Sequence, residues 1–156
     1  MYGVNLKVRE LMIKEVISID FEASVKDAVN MMAQNEIGSL VVTEKKKPVG
    51  IITERDLLSR VLATGKNAKA TMVKAIMSKP LICGNPEMNA EDAARVMANK
   101  KIKKLPIVED GHLIGIMTLT DLCTIQPDLA KVIEEETRGK IPKRFIKRLS
   151  KKYFRT

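Results

Sequence analysis

The apolar and polar positions of this chain follow a pattern that occurs twice. When the sequence is shifted by 65 residues against itself, apolar positions fall on apolar positions nearly throughout, without a gap. The matching segments are VRELMIKEVISI with VKAIMSKPLICG, SVKDAVNMMAQNEI with NAEDAARVMANKKI, SLVVTE with KLPIVE, and GIITERDLL with GIMTLTDLC. Because two copies are too few for a solenoid, the pattern predicts a pseudo-twofold pair that shares one core.

Each copy predicts the order strand, helix, strand, strand, helix, which is an α/β architecture. Short apolar runs mark the first strand: Val16, Ile17 and Ile19 in the first copy, and Leu81 and Ile82 in the second. Ser24 and Asn89 are good N-caps for the helix that follows, with Asp27 and Asp92 three residues further on. Apolar residues at helical spacing predict its buried face: Ala28, Val29 and Met32, and Ala93, Val96 and Met97.

A hairpin follows the helix in each copy. In the second copy the turn is Glu109–His112, whose Asp-Gly pair is a strong signal for a two-residue turn, and in the first it is Glu44–Pro48. The last helix begins near Thr53 or Thr118. The chain therefore divides into a first repeat at 7–62, a linker at 63–71, a second repeat at 72–125 and a helical, basic C-terminal extension at 126–156.

Candidate chemistry lies where the last helix of each copy begins. Both copies read Gly-apolar-apolar-Thr-x-x-Asp there, over Gly50–Asp56 and Gly115–Asp121. In one interpretation this is only a helix start, with Thr as the N-cap and Asp offsetting the helix dipole. In the other, the free N–H groups and the Thr hydroxyl bind a phosphate, and the Asp carboxylate accepts from both hydroxyls of a ribose. Glycine just upstream would let a ligand approach the backbone closely.

Charge and composition exclude several classes of protein. The net charge is +9, and nine bases and no acid follow Glu136, so the rest of the chain has 28 − 9 = 19 bases against 19 acids. Two cysteines and one histidine are too few for a four-ligand zinc site, and a single His112 makes a catalytic triad improbable, so we predict no enzyme. No run of eighteen apolar residues and no signal peptide is present, which favours a soluble cytoplasmic protein.

The doubled motif resembles a tandem pair of cystathionine β-synthase (CBS) domains, the Bateman module, in a stand-alone protein. The resemblance covers about Lys7 to Leu122 and includes ELM and AIM before the first strand, the helix that contains Asp-Ala, the LPIVEDG hairpin and both Gly-apolar-apolar-Thr-x-x-Asp endings. Copy one departs from it mildly, with Val41 in place of Pro106 and with the Lys-rich turn EKKKP. The resemblance implies a regulatory module, a homodimer, that requires no cofactor and binds AMP, ADP, ATP or an S-adenosyl compound in clefts between its repeats.

The resemblance also implies which residues bind the ligand. One cleft would use Thr53, Arg55, Asp56, Met77, Pro80, Ile82, Lys103 and Lys104. The other would use Thr118, Thr120, Asp121, Met12, Glu15, Ile17, Gly38 and Ser39. In each cleft Asp would hold the ribose, Thr the phosphate, and Ile17 or Ile82 would cover the adenine. Because cations occur only in the first set, we expect the Asp56 cleft to prefer AMP, ADP or ATP, and the Asp121 cleft to be empty or to take a less charged adenosyl ligand.

The C-terminal segment KIPKRFIKRLSKKYFRT predicts a short basic amphipathic helix, after a separate helix over 129–139. Its bases include Lys143, Arg144, Lys147, Arg148, Lys151 and Lys152. This tail either packs its apolar stripe on the body or on a second copy, or binds an anionic partner such as nucleic acid, a membrane surface or an acidic protein. The alternative function is therefore a nucleic-acid-associated protein that acts through the tail and uses the CBS pair as a dimerisation scaffold.

Overall fold

The computed structural model describes residues 5–137, so the predicted basic tail lies outside the described residues. Helices and strands alternate along these residues, as the α/β prediction requires. The elements are α1 (Val8–Leu11), β1 (Ser18–Asp20), α2 (Val25–Asn35), β2 (Ser39–Glu44), β3 (Lys47–Thr53), α3 (Glu54–Leu57) with a π-helical turn (Leu58–Leu62), a 3-10 turn (Val73–Ala75), α4 (Ala90–Lys100), β4 (Lys104–Glu109), β5 (His112–Thr118), α5 (Leu119–Ile125) and α6 (Leu129–Thr137). Within the described residues, no helix is both long and apolar enough to cross a bilayer.

The described residues form two compact units. The first unit comprises residues 5–14, 83–108 and 114–137, and the second comprises residues 15–82 and 109–113. These units are defined by packing, whereas the predicted repeats are defined by sequence similarity, and the repeat boundaries remain a prediction.

The second unit is built on a three-stranded sheet in the order β1-β2-β3. β1 runs parallel to β2, with Ile19 opposite Val42, and β2 runs antiparallel to β3. α2 begins where predicted, because the Ser24 Oγ accepts the Asp27 N–H at 3.0 Å. Its apolar face packs on the sheet in a core that includes Val25, Ala28, Met32, Leu40, Val42 and Ile52. This burial confirms the predicted helical face.

In the first unit α4, α5 and α6 pack on one another, and this unit also holds the β4-β5 hairpin apart from residues 109–113. Asn89 caps α4 by accepting the Asp92 N–H at 2.7 Å. The fully buried residues of this unit include Val8, Met97, Leu105, Ile107, Leu122, Leu129 and Ile133. On the surface, Arg95 of α4 is paired with Glu91 and with Glu136 of α6, which joins the two helices.

The N-terminal helix α1 belongs to the first unit. The Val8 N–H donates to the Met88 carbonyl at 2.8 Å, and the side chains of Lys7 and Arg9 bind the Glu87 carboxylate at 2.6 and 3.1 Å. These two cations hold the pKa of the Glu87 carboxyl below its usual range. The segment that opens the chain therefore packs against residues about 80 positions later.

The strand predicted at Leu81 and Ile82 is wrong. Only Gly84 pairs there, in a single parallel bridge to Ile107. The Gly84 N–H donates to the Pro106 carbonyl at 2.8 Å, and the Val108 N–H donates to Gly84 at 3.0 Å. Pairing cannot extend in either direction, because neither Pro106 nor Pro86 carries an N–H to donate. In the first copy Val41 and Phe21 stand at those positions, and the Phe21 N–H donates to the Thr43 carbonyl at 2.8 Å.

Both hairpins turn through two residues with left-handed backbone, as the Asp-Gly pair predicts for the second copy, and in the first copy the turn is shorter than the predicted Glu44–Pro48 because β3 already begins at Lys47. The φ angles are 50° at Lys45 and 66° at Lys46, and 50° at Asp110 and 77° at Gly111. Only Gly111 adopts this conformation without a steric penalty. The first hairpin thus reaches the same turn with residues that disfavour it.

Candidate functional site

The first Thr-Asp motif closes the end of β3 onto α3. The Thr53 Oγ1 accepts the Asp56 N–H at 3.3 Å, and the Thr53 N–H donates to the Asp56 Oδ2 at 2.9 Å. The Thr53 hydroxyl also donates to Oδ2 at 3.1 Å. This is a reciprocal capping box, and it satisfies N–H groups at the start of the helix. Asp56 is 6% exposed, so its carboxylate is a buried charge that needs partners.

The other oxygen of Asp56 is held by side chains from further along the chain. The Ser78 Oγ donates to the Asp56 Oδ1 at 3.0 Å, and the Arg60 Nε lies 3.7 Å from the same oxygen. Arg60 also donates through Nη1 to the carbonyls of Ile76 and Met77, at 2.9 and 3.0 Å. We call the contacts of Ser78 and Arg60 with Asp56 the Asp56 clamp. Both oxygens of this carboxylate are therefore occupied by the protein itself.

The segment that carries Ser78 is fixed to β3. The Ile51 N–H donates to the Ser78 carbonyl at 3.1 Å, and the Ser78 N–H donates to the Ile51 carbonyl at 2.8 Å. A Cβ added at Gly50 would lie 2.8 Å from the Met77 Sδ and 2.9 Å from the Ser78 carbonyl oxygen. The close approach that Gly50 allows is thus made by the protein's own Met77–Ser78 backbone and side chain, and not by a ligand as the sequence suggested.

The first unit repeats this backbone geometry around its own Thr-Asp motif. Ile13 and Ile116 exchange two hydrogen bonds, both at 2.9 Å, as Ser78 and Ile51 do. A Cβ at Gly115 would meet the Met12 side chain, with Cγ at 2.8 Å. The Thr118 Oγ1 accepts the Asp121 N–H at 3.0 Å.

The two motifs differ in what surrounds the carboxylate. Within residues 5–137, the carboxylate of the partly exposed Asp121 accepts no hydrogen bond and makes no ion pair. Shifting the sequence by 65 residues explains why: Ile13 stands at the position of Ser78, and Ile125 at that of Arg60. Both isoleucines are exposed, at 46% and 45%. The first unit therefore has no counterpart of the Asp56 clamp in the part of the chain that the structure describes.

The remaining residues of the predicted sets are divided between the two units. The second unit holds Arg55, Met77, Pro80, Ile82, Glu15, Ile17, Gly38 and Ser39, and the first holds Met12, Lys103, Lys104 and Thr120. The Gly38 carbonyl accepts the Glu54 N–H at 3.0 Å, and the Lys103 carbonyl accepts the Leu119 N–H at 2.9 Å. Gly38 thus lies beside the start of α3, and Lys103 lies beside the start of α5, each within its own unit.

Two of these predicted residues are packed into their own unit. Ser39 is buried at the start of β2, and Ile17 packs against the core of the second unit. Arg55 is exposed on α3, next to the buried Asp56.

Sequence reasoning missed Ser78 and Arg60 altogether. Comparing the two copies position by position would have marked them, because each copy has a polar residue where the other has isoleucine.

A cavity of the second unit lies apart from the Thr-Asp motif. It has a volume of about 450 Å³ and runs along α2 to the start of α3. Its lining is mainly apolar with two acids: Val29, Met32, Ala33, Glu36, Ile37, Gly38, Glu54 and Leu57. Neither Thr53 nor Asp56 lines this cavity, so its shape does not identify a site at the motif.

Comparison with known proteins supports the family that the motifs suggest. The sequence profile of the CBS domain matches residues 8–63 and again residues 73–128. An uncharacterised protein of Methanopyrus kandleri is 39% identical over 136 residues, which are 86% of this chain and 69% of that protein. The CBS domain-containing protein YhcV of Bacillus subtilis is 35% identical over 119 residues, 76% of this chain and 84% of that protein.

Enzymes and solved structures are also among the similar proteins. The inosine-5'-monophosphate dehydrogenase of Methanocaldococcus jannaschii is 37% identical over 118 residues, but these are only 23% of that enzyme. A conserved protein from Pyrococcus horikoshii has a crystal structure with a TM-score of 0.72 at 30% identity, covering 80% of this chain and 94% of that one. A hexameric CBS-CP12 protein from bloom-forming cyanobacteria has a TM-score of 0.71 at 27% identity, covering 97% and 98%.

Proposed function

Because this chain belongs to the CBS-domain family, with two such domains at residues 8–63 and 73–128, we propose that it is a sensor of an adenosine-containing ligand. Paired CBS domains are generally regulatory modules that bind ligands, and those ligands commonly contain adenosine. The proposed ligand is AMP, ADP, ATP or an S-adenosyl compound. The protein would have no catalytic activity of its own, and its site of action would be the cytoplasm.

The observation that carries this proposal is the state of Asp121. Its backbone is held at a helix start by Thr118, while its carboxylate accepts no hydrogen bond from residues 5–137. Vicinal hydroxyls, such as those of a ribose, can donate two hydrogen bonds to one carboxylate, and such charge-assisted bonds are among the stronger ones. In this proposal Asp121 holds the ribose, Thr118 contributes its hydroxyl to a phosphate, and Thr53 and Asp56 play the same parts in the second unit.

Sensing would follow from unequal affinity. A ligand shifts an equilibrium between two conformations only if it binds one of them more tightly than the other. An adenosine ligand that binds these motifs would therefore stabilise the conformation that presents them, and a partner protein would respond to that conformation.

The test is isothermal titration calorimetry of the full-length protein with AMP, ATP and S-adenosylmethionine at physiological salt. Wild type should bind at least one of the three, and Asp121→Ala should weaken that binding at least about tenfold, since it removes a charge-assisted acceptor. A matched control is Asp128→Ala, which removes an exposed acid of the first unit a few positions further along the chain. Equal binding by wild type and Asp121→Ala would contradict the role of Asp121, and no binding of any ligand would contradict the proposal.

Tail deletion separates this function from the alternative that acts through the basic segment. A chain ending at Thr137 lacks nine bases and should bind the adenosine ligand as the full chain does. If deletion instead abolished ligand binding, the motifs would not be sufficient for the proposed function.

We also infer that the protein is a homodimer. Leu58 and Leu62, on the π-helical turn, are 63% and 73% exposed, and the apolar cavity beside α2 and α3 lies on the same unit. Apolar surface of this kind is typical of protein interfaces. Sedimentation equilibrium should give twice the chain mass of 17.4 kDa, and Leu58→Glu combined with Leu62→Glu should shift it toward that of a monomer.

A further inference from the structure

We infer that Ser78 and Arg60 act as an intramolecular competitor for Asp56, so that the two ribose-binding motifs of one chain differ in affinity. The inference rests on the proposed function and concerns how the second unit regulates its own motif. It changes the expectation drawn from charge alone, which favoured the Asp56 side as the nucleotide site.

The competition follows from the hydrogen bonds of the carboxylate. Oδ2 of Asp56 is bound by the Thr53 N–H and hydroxyl, and Oδ1 by the Ser78 hydroxyl with Arg60 beside it. A ribose that donates both of its vicinal hydroxyls to Asp56 must displace at least one of these donors, because hydrogen bonds already use three of the about four acceptor sites of the carboxylate. Each displaced donor reduces the gain from the new hydrogen bond, because the carboxylate exchanges one protein partner for another.

Opening the clamp also disturbs the segment around Ser78. Arg60 binds the carbonyls of Ile76 and Met77, and Ser78 is bonded in both directions to Ile51. Ligand binding at Asp56 would therefore be coupled to the position of residues 76–78. At Asp121 the side chains of the isoleucines at the matching positions have no group that can donate to a carboxylate, so a ligand there displaces no donor belonging to residues 5–137.

The repeat itself supplies the variants that test this. Ser78→Ile and Arg60→Ile introduce the residues that the other copy has at those positions. The backbone at Ile13 already makes the same paired bridge with isoleucine, so the exchanged residue is compatible with this geometry. Circular dichroism and urea unfolding would check that each variant is folded. Lys66→Ile, which removes an exposed charge just beyond the π-helical turn, is the matched control.

Titrations in an Asp121→Ala background report the Asp56 motif alone. Calorimetry with AMP should show weak binding for Asp121→Ala, and binding tighter by about tenfold or more once Ser78→Ile and Arg60→Ile are added, since two donors no longer compete. Adding Asp56→Ala should abolish that gain. Lys66→Ile should leave the affinity of the Asp121→Ala background unchanged.

The reverse exchange tests the same idea in the first unit. Ile13→Ser combined with Ile125→Arg should build a clamp on Asp121 and weaken AMP binding at that motif by a similar factor.

Hydrogen exchange gives an independent readout, because AMP binding to Asp56 should speed exchange of the Ile51 amide, which is bonded to Ser78.

The outcomes separate the two proposals. If the Asp56 motif binds AMP equally well with and without Ser78 and Arg60, the competition is wrong and the ligand-sensing function stands. If wild type binds no adenosine ligand but the variant with Ser78→Ile and Arg60→Ile does, the competition is supported and the ligand-sensing function of the wild-type protein is overturned. If neither protein binds any, both are overturned.

Discussion

At the scale of the residue, the two equivalent acids of this protein differ in burial and in their hydrogen-bond partners. Asp56 and Asp121 occupy the same place in the same motif, yet Asp56 is buried among the donors of Thr53, Ser78 and Arg60, while Asp121 is partly exposed. A buried carboxylate is stable only while its partners are present. The same residue type is therefore held by donors of its own unit at Asp56, whereas the carboxylate of Asp121 accepts no hydrogen bond from residues 5–137.

Asp56→Asn should destabilise the protein by about 2–4 kcal/mol, because it removes a charge from buried donors and turns one acceptor into a donor. Asp121→Asn should change the free energy of unfolding by less than about 1 kcal/mol, through the helix dipole alone. Urea unfolding of both variants without ligand measures the difference. Equal losses would show that Asp56 is not held as described.

The two cysteines should differ in reactivity. Cys83 is exposed, whereas Cys123 is 7% exposed and burial raises the pKa of its thiol. Because the thiolate is the reactive form, a raised pKa lowers the reactive fraction at any given pH. In the native protein one thiol per chain should react promptly with Ellman's reagent. The second thiol should react only after the protein has been unfolded in guanidinium. Two equally fast equivalents in the native state would contradict the burial of Cys123.

The same shift has a consequence for stability. The folded pKa of Cys123 is raised, so its contribution is fully present below the unfolded pKa and is lost as pH rises toward the folded value. Stability should therefore fall at alkaline pH, and the fall should be smaller in Cys123→Ala than in wild type. Urea unfolding of both proteins at neutral and at alkaline pH measures how far the free energy of unfolding falls in each.

At the scale of the element, the copies share their helix starts and the two strands of their hairpins, but not their first strand. Ser24, Asn89, Thr53 and Thr118 all cap helices where the sequence predicts, because capping depends on neighbours within three residues. The missing strand at Leu81 and Ile82 was equally visible in the sequence, in the prolines that block its pairing. The apolar run alone was a misleading signal, because a strand also requires backbone N–H donors and the prolines have none.

The two hairpin turns make a matched experiment. Lys46→Gly should stabilise the protein by about 0.5–1 kcal/mol, because glycine removes the steric penalty of the left-handed backbone and loses part of that gain to its freedom when unfolded. Gly111→Lys, at the equivalent position, should destabilise by a similar amount. Urea midpoints at constant slope give both values, and effects of the same sign would contradict the assignment of the turns.

At the scale of the whole molecule, the element order was predictable except for the first strand of the second copy, and the packing partners were not predictable. Comparing the copies reveals α/β repeats, but the binding of Ser78 and Arg60 to Asp56 joins residues up to 22 positions apart through tertiary contacts. The docking of α1 beside Glu87 joins residues about 80 positions apart, with surface charges as its only signal. Such contacts depend on the assembled unit, and local spacing does not encode them.

The packing of α6, the last described helix, should contribute to the stability of the first unit. Ile133 of α6 is 1% exposed, so Ile133→Ala should lower the free energy of unfolding by about 2–4 kcal/mol through lost burial and a new cavity. Ile125→Ala, at a position that is 45% exposed, is the control and should cost less than about 1 kcal/mol. Similar losses in the two variants would contradict the packing of α6.

The docking of α1 on the second half of the chain also orders the events of synthesis. Residues 15–82 of the second unit are continuous and can meet their main partners as soon as they leave the ribosome. The first unit must wait, because residues 5–14 find Glu87 and Met88 only after that intervening segment has been made. Closing so long a loop is entropically slow, so residues 5–14 find their place later than residues 15–82, although they are synthesised before them.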